Sequence, residues 1–269
     1  MSDNTQLADR VAIVTGSSRG VGAAVVEMLA EKGCCVVVNF IVDMVGSEEA
    51  AQVVAEKLRG RGARVLLCQA DVGTDEGCEK LVQDTIAEFG RIDILVNNAG
   101  TTKFVPHADL DGVTTSDFQR IYNVNAIGAF RLIKLCTPHM RKAGGGRVVN
   151  VASHAGVYHT VGSSVPYIMS KAALTALTAV MAKALGPDIV INAVCPGFIA
   201  GEWLRDGLGR EVYDRVKDAL KQGNPMRAVS APENVGSALM MLLEASSTHI
   251  TGQVIVCDGG FGLIRGPAL

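Results

Sequence analysis

Val11-Ala12-Ile13-Val14-Thr15-Gly16-Ser17-Ser18-Arg19-Gly20-Val21-Gly22 is an apolar run that ends in a glycine-rich turn, and a helical pattern follows from about Gly22 to Lys32. Glycines here permit a tight turn and a close backbone approach to an anion. The helix start offers free N–H groups and the positive end of a dipole, which together suit a pyrophosphate. No Gly-Lys-Ser/Thr follows, which argues against a nucleoside triphosphatase loop.

The same alternation continues along the chain. Apolar runs at Cys34–Val38, Arg64–Cys68, Ile92–Val96, Arg147–Val151, Ile189–Val194 and Gln253–Val256 alternate with helical patterns. Those patterns cover Ser47–Arg59, Thr74–Phe89 with Thr74 as N-cap, Thr115–Met140, Tyr167–Leu185 and Pro232–Glu244. Strands without polar alternation are buried on both faces, as in parallel sheets covered by helices. With right-handed crossovers this predicts an α/β protein: one doubly wound Rossmann-fold domain over 1–269 with a seven-stranded parallel sheet. An insert at about 199–227, holding the single tryptophan Trp203, breaks the rhythm beyond a strand's carboxyl end and reads as a substrate lid rather than a surface helix hairpin.

Composition narrows the function. The 269 residues are 48% hydrophobic and 19% charged, with a formal net charge of −2. No basic excess points to nucleic acid, and no run suggests a membrane partner. The polar start Met1–Gln6 lacks the apolar core of a signal peptide. Seven cysteines without Cys-x-x-Cys spacing read as reduced thiols in a cytoplasmic protein, and the five histidines form no metal site.

Tyr167-Ile168-Met169-Ser170-Lys171 places a phenol and an ammonium four residues apart, on one helix face. A cation near a phenol favours phenolate, so the pair reads as a proton donor and acceptor with a lowered tyrosine pKa. Together with Gly16-x-x-x-Gly20-x-Gly22 and Asn97-Asn98-Ala99-Gly100, it resembles the short-chain dehydrogenase/reductase family in its single-domain branch. The resemblance runs from about Leu7 to Gly262 and includes Thr251-Gly252-Gln253 and Asp258-Gly259-Gly260.

That resemblance implies a catalytic set of Asn125, Ser153, Tyr167 and Lys171, in which Ser153 binds the substrate oxygen and Lys171 also holds the nicotinamide ribose. It implies cofactor contacts from Gly16, Ser18, Arg19, Gly20, Val21, Gly22, Asn39, Asn98, Gly100, Asp71, Val72, Tyr167 and Lys171. Pro196, Gly197 and Ile199 then lie on the nicotinamide side, although Gly201 stands where the family has a threonine. The end of the second strand, Asn39 or Phe40, carries no carboxylate before Asp43, and Arg19 suits a 2′-phosphate; the expected cofactor is NADP(H) rather than NAD(H).

The function expected is reduction of a ketone or oxoacyl group, or oxidation of a secondary alcohol. A 3-oxoacyl-[acyl-carrier-protein] reductase and an NAD-dependent alcohol or sugar dehydrogenase are alternatives. The arginines that such reductases often carry before strands five and six are absent, and Arg205, Arg210 or Lys217 would have to dock the carrier. A nucleotide-sensing protein without turnover is the reading from another class, and a sugar-nucleotide epimerase would need a second domain. His154 and His159 are expected in the loop lining the pocket. Alanines at 172, 173, 176, 179 and 182 fit a homotetramer built on the long helices.

Overall fold

The structure is a computed structural model, which describes residues 7–42, 46–244 and 249–263. The chain runs β1 (Val11–Val14), α1 (Gly20–Glu31), β2 (Cys35–Phe40), α2 (Ser47–Gly60), β3 (Val65–Gln69), α3 (Asp75–Phe89) and β4 (Ile94–Asn97). It continues with α4 (Thr115–Tyr122), a π-helical turn (Asn123–Ile127), α5 (Gly128–Lys142), β5 (Gly146–Val151), α6 (Ala155–Tyr158), α7 (Val165–Leu185) and β6 (Ile189–Pro196). α8 (Glu202–Leu208), α9 (Arg210–Gly223), α10 (Pro232–Leu243), β7 (Val254–Cys257) and a 3₁₀ turn at Phe261–Leu263 complete it.

The seven strands form one sheet in the order β3-β2-β1-β4-β5-β6-β7, parallel throughout. Strand order reverses between β1 and β4, and ligands of such sheets bind outside the carboxyl ends at that switch point. Successive strand residues explain the unbroken apolar runs. Ala12, Val14, Val36, Val38, Ile94 and Val96 pack on one face with α1, α2 and α10. Their neighbours Ile13, Val37, Leu95 and Val148 pack on the other, with α3 and α5. Both faces are covered, so both alternate positions are mostly apolar, with Asn39, Asn150 and Asn192 as buried polar exceptions.

Local signals fix several ends. The Thr74 hydroxyl caps α3 by accepting from the Gly77 N–H at 3.0 Å. Thr114 and Asp117 form a reciprocal capping box on α4. The single helix expected over Thr115–Met140 is instead broken by the π turn: the Gly128 N–H reaches back five residues to the Asn123 carbonyl. Gly128 must be glycine there, because a Cβ would lie 2.3 Å from the Val72 carbonyl oxygen. The insert is a pair of helices, α8 and α9. α7 is long and apolar enough to cross a membrane by length and composition alone; here it packs on β6 and α6 and buries Lys171. The seven cysteines are free, and burial pushes the thiols of Cys34, Cys68 and Cys78 up to about 12.

At the opposite end of the sheet from the switch point, the buried Asp93 ties β1 to β4. Its carboxylate accepts from Arg10 at 2.7 Å, from Arg91 at 2.6 and 2.8 Å, and from the Val11 N–H at 2.9 Å. Burial works against this charge, but the hydrogen bonds from Arg91, Val11 and Arg10 outweigh it and hold the carboxyl below its ordinary range. The folded-state pKa is therefore depressed, so the stabilisation is present above about pH 4 and is lost as pH falls through the folded value. Asp93→Asn is expected to lose about 2 kcal/mol at pH 7, less than for a wholly buried pair because both guanidinium groups are part-exposed. Denaturant titrations at pH 7 and in acid check this: the deficit should shrink in acid, and an unchanged midpoint at pH 7 contradicts it.

Candidate active site

The turn after β1 is braced from two sides. The Asn98 side chain, on the loop after β4, donates to the Thr15 and Gly16 carbonyls at 2.8 and 3.0 Å. The Thr15 hydroxyl accepts from the N–H groups of Asn98 and Ala99. From β2, Asn39 Oδ1 accepts from the Gly16 N–H at 3.0 Å while its amide donates to the Cys68 and Ala70 carbonyls. Asn39 is 2% exposed. Its side chain, expected to contact the cofactor, is engaged with the backbone through both its oxygen and its amide and shapes the turn.

Gly16 and Gly20 adopt φ of 61° and 58°, in the left-handed region that glycine enters freely. A Cβ on Gly22 would lie 2.5 Å from the Gly16 carbonyl oxygen, whereas one on Gly20 would meet nothing within 4 Å. The turn is thus tight on its inner side and open on its outer side. The start of α1 has no side-chain cap and no acidic residue in its first turn, unlike α3 and α4. Uncapped N–H groups beside an open glycine fit a pyrophosphate. Arg19 stands at this helix start, Val21 and Ser18 are buried beside it, and the Ser18 and Ser47 hydroxyls are 3.4 Å apart. Asp71 and the buried Val72 lie just past β3. Asp43 lies outside the described residues.

Across the switch point, Lys171, Asn125, Tyr167 and Ser153 converge. Lys171 is 3% exposed, and its ammonium donates to the Val151 carbonyl at 2.8 Å. The Cβ position of Gly100 is 3.5 Å from Lys171 Nζ and 3.6 Å from Asn125 Oδ1, so the three adjoin. Lys171 Nζ is 5.9 Å from the centre of the Tyr167 ring. Desolvation pulls the lysine down to about 8. The tyrosine differs from expectation: burial raises its pKa, opposed by the Ser153 hydroxyl. The Lys171 ammonium, 5.9 Å from the ring centre, does not reverse that direction. Ser153 is oriented by the Ala155 N–H, which donates to its hydroxyl at 3.1 Å.

Asn125 lies in the π turn and is 1% exposed. Its Oδ1 accepts from the Thr101 N–H, and its amide donates to the Thr101 carbonyl and the Ser170 hydroxyl. The side chain therefore joins the loop after β4 to α7 and sets the distance between Gly100 and Lys171. Pro196 closes β6 and Gly197 packs on Asp258, leaving only 2.7 Å for a Cβ. Ile199 follows, bridged to Ser230.

Phe104, which no motif in the sequence marks, stands beside Trp203 near the tyrosine. Its ring meets Trp203 edge-on at 5.6 Å, and Trp203 lies 6.1 Å from the Tyr167 ring. A Cβ on Gly207 would fall 2.0 Å from the Phe104 ring, so α8 packs directly on Phe104 over the tyrosine. Only the position of Phe104 four residues after Asn97-Asn98-Ala99-Gly100 hinted at this. His154 was expected along the pocket; it is buried, 6% exposed, between other rings, while His159 is exposed.

Residues 16–262 match a family model described as enoyl-(acyl carrier protein) reductase. A protein assigned as ketoacyl reductase 2 of the granaticin polyketide synthase from Streptomyces violaceoruber is 37% identical over 254 residues, 94% of this chain and 96% of that one. A solved 7α-hydroxysteroid dehydrogenase, complexed with NADH and 7-oxo glycochenodeoxycholic acid, superposes with a TM-score of 0.87 at 30% identity, covering 97% of both chains. A blue fluorescent protein from a metagenomic library, in complex with NADPH, gives 0.83 at 29% identity over 96% of this chain and 99% of that one. These matches span nearly the whole chain, which belongs to the short-chain dehydrogenase/reductase family of NAD(P)-dependent oxidoreductases acting on CH–OH and C=O groups.

Proposed function

We propose that this protein is an NADP(H)-dependent carbonyl reductase whose substrate is a small ketone with a flat apolar body. The observation that carries it is the convergence of Ser153, Tyr167 and Lys171 beneath the Phe104–Trp203 wall. A bound nicotinamide supplies the hydride, or takes it in the reverse direction. The chain supplies the rest. Ser153 and Tyr167 present two hydroxyl donors to the oxygen on which charge grows. A phenol with a raised pKa keeps its proton at neutral pH, so Tyr167 is loaded to donate it, and the Lys171 ammonium steadies the phenolate left behind. Asn125 holds Lys171's surroundings in place through Thr101 and Ser170.

The preference for the phosphorylated dinucleotide rests on Arg19, which makes no ion pair among the described residues, and on the apolar, buried Phe40 at the end of β2. A guanidinium at an uncapped helix start suits a 2′-phosphate. A carrier-bound substrate is less well served. Arg205 already faces Glu202 and Asp206, and Arg210 faces Asp214, so of the three cations expected to dock a carrier only Lys217, over the Tyr213 ring, has no ion pair among the described residues. The 7-oxo compound in the name of the hydroxysteroid relative's complex agrees with a ketone substrate.

A homotetramer belongs to the same reading. Ile127, Phe130, Met169 and Val180 leave apolar side chains exposed on the π turn, α5 and α7. A cytoplasmic location is part of it too, resting on seven unpaired thiols.

Tyr167→Phe is expected to lose about 10²–10⁴-fold in kcat for ketone reduction while NADPH binding stays near wild type; followed as NADPH absorbance, turnover that survives the substitution contradicts the assignment. Arg19→Ala should raise KM for NADPH by about tenfold and leave that for NADH nearly unchanged, because one charge-assisted phosphate contact is removed; equal effects on both dinucleotides contradict it. Light scattering should return a mass about four times the 28.2 kDa chain, and a monomer or dimer would remove the tetramer.

A further inference from the structure

Three segments meet behind Ser153, away from the Phe104–Trp203 wall. The first is Ser153–Tyr158 itself, the second the Pro196–Gly197 turn, and the third the chain after β7, Asp258–Leu263. His154 touches all three. Its backbone N–H donates to the Pro196 carbonyl at 2.8 Å. Its ring lies between Tyr158, at 4.3 Å between centroids, and Phe261, at 4.9 Å. Its Nε2 is buried, takes no hydrogen bond among the described residues, and stands 3.5 Å from Asp258 Oδ2.

Asp258 is equally committed. Its two oxygens accept from the Gly260 and Gly262 N–H groups at 2.8 Å each. The same residue packs on Gly197 too closely to admit a Cβ, and Gly262 packs as closely on the Tyr158 ring. The chain after β7 is thereby clamped to the serine loop through a stack of three rings and a carboxylate.

We propose that His154 is a positioning residue for Ser153 and for the Pro196–Gly197 turn, acting as a neutral ring wedged between Tyr158, Phe261 and Asp258. This rests on the reading of Ser153 as an active-site hydroxyl. A carboxylate oxygen faces a ring N–H rather than a lone pair, so the neutral ring carries its proton on Nε2. The titratable groups facing the ring are Asp258 and the Tyr158 phenol. Desolvation lowers the His154 pKa, against the pull of Asp258. A depressed histidine is neutral in the folded site and gains its proton more readily in water, so the wedge is complete above about pH 6.5 and is weakened as pH falls below it. A ring drawn toward water moves the backbone next to Ser153, and small misplacements of reacting groups are costly.

The test is kcat and KM for NADPH-driven ketone reduction from pH 5.5 to 8.5 in wild type, His154→Ala and His154→Phe, with thermal midpoints at both ends of the range. At pH 8, His154→Ala is expected to lose about tenfold in kcat with KM for NADPH within about twofold of wild type. His154→Phe keeps the ring stack and recovers most of that loss. The wild-type midpoint declines below about pH 6.5, wild-type kcat declines at lower pH, where the folded ring with its depressed pKa gains its proton, and this acid limb is absent in His154→Phe, which has nothing to protonate. A folded His154→Ala with wild-type kcat, a wild type without an acid limb, or a His154→Phe with the wild-type limb overturns the proposal. If His154→Ala does not fold, the His154→Phe profile decides alone. Absence of ketone turnover in wild type would sink the carbonyl-reductase reading, while the pH dependence of the midpoints still tests the wedge.

Discussion

The ammonium of Lys171 is a donor with three protons in a place that water hardly reaches, and the structure gives it one carbonyl, that of Val151. Burying such a group is costly unless its remaining donors find acceptors. The fold keeps this cost at the switch point of the sheet, and much of the site is arranged around it. α7 carries the lysine, β5 supplies the carbonyl, and Asn125 in the π turn places Gly100 against it. Desolvation already pulls the group down to about 8, so its charge is easily shifted by whatever binds beside it. A ligand offering hydroxyl oxygens, such as a ribose, would restore the missing acceptors.

The same logic explains the asparagines. Asn39, Asn98 and Asn125 each spend their amides on backbone groups of neighbouring loops. The turn before α1 has no side-chain cap from outside. It is stabilised from beneath, by side chains that have both donors and acceptors. The aromatic residues divide the remaining work: Phe104 and Trp203 form a wall over Tyr167, and Tyr158, His154 and Phe261 form a stack behind Ser153.

How much of this is legible from sequence depends on whether a neighbour along the chain or across the fold sets the role. The strands are legible because both faces are buried, which writes itself as runs such as Val36-Val37-Val38. Thr74 as a cap and the Tyr167–Lys171 spacing are local too. The break in the helix at Asn123–Ile127 is not, since it depends on the Val72 carbonyl passing within 2.3 Å of a Cβ site on Gly128. Asn39 reads as a ribose contact by position, but the chain folds Cys68 and Ala70 beneath it and claims the side chain. His154 reads as a loop histidine, and only the return of Phe261 and Asp258 from the far end of the chain buries it. The raised pKa of Tyr167 is likewise a consequence of packing, which a spacing rule does not contain.

The most direct measurement is the titration of the Lys171 side chain by NMR of its Cε methylene, in the free protein and with NADP⁺. The account predicts a midpoint of about 8 in the free protein and an upward shift on binding, because new acceptors at the ammonium favour its charged form. An ordinary lysine midpoint near ~10.4 that the dinucleotide does not move would contradict it.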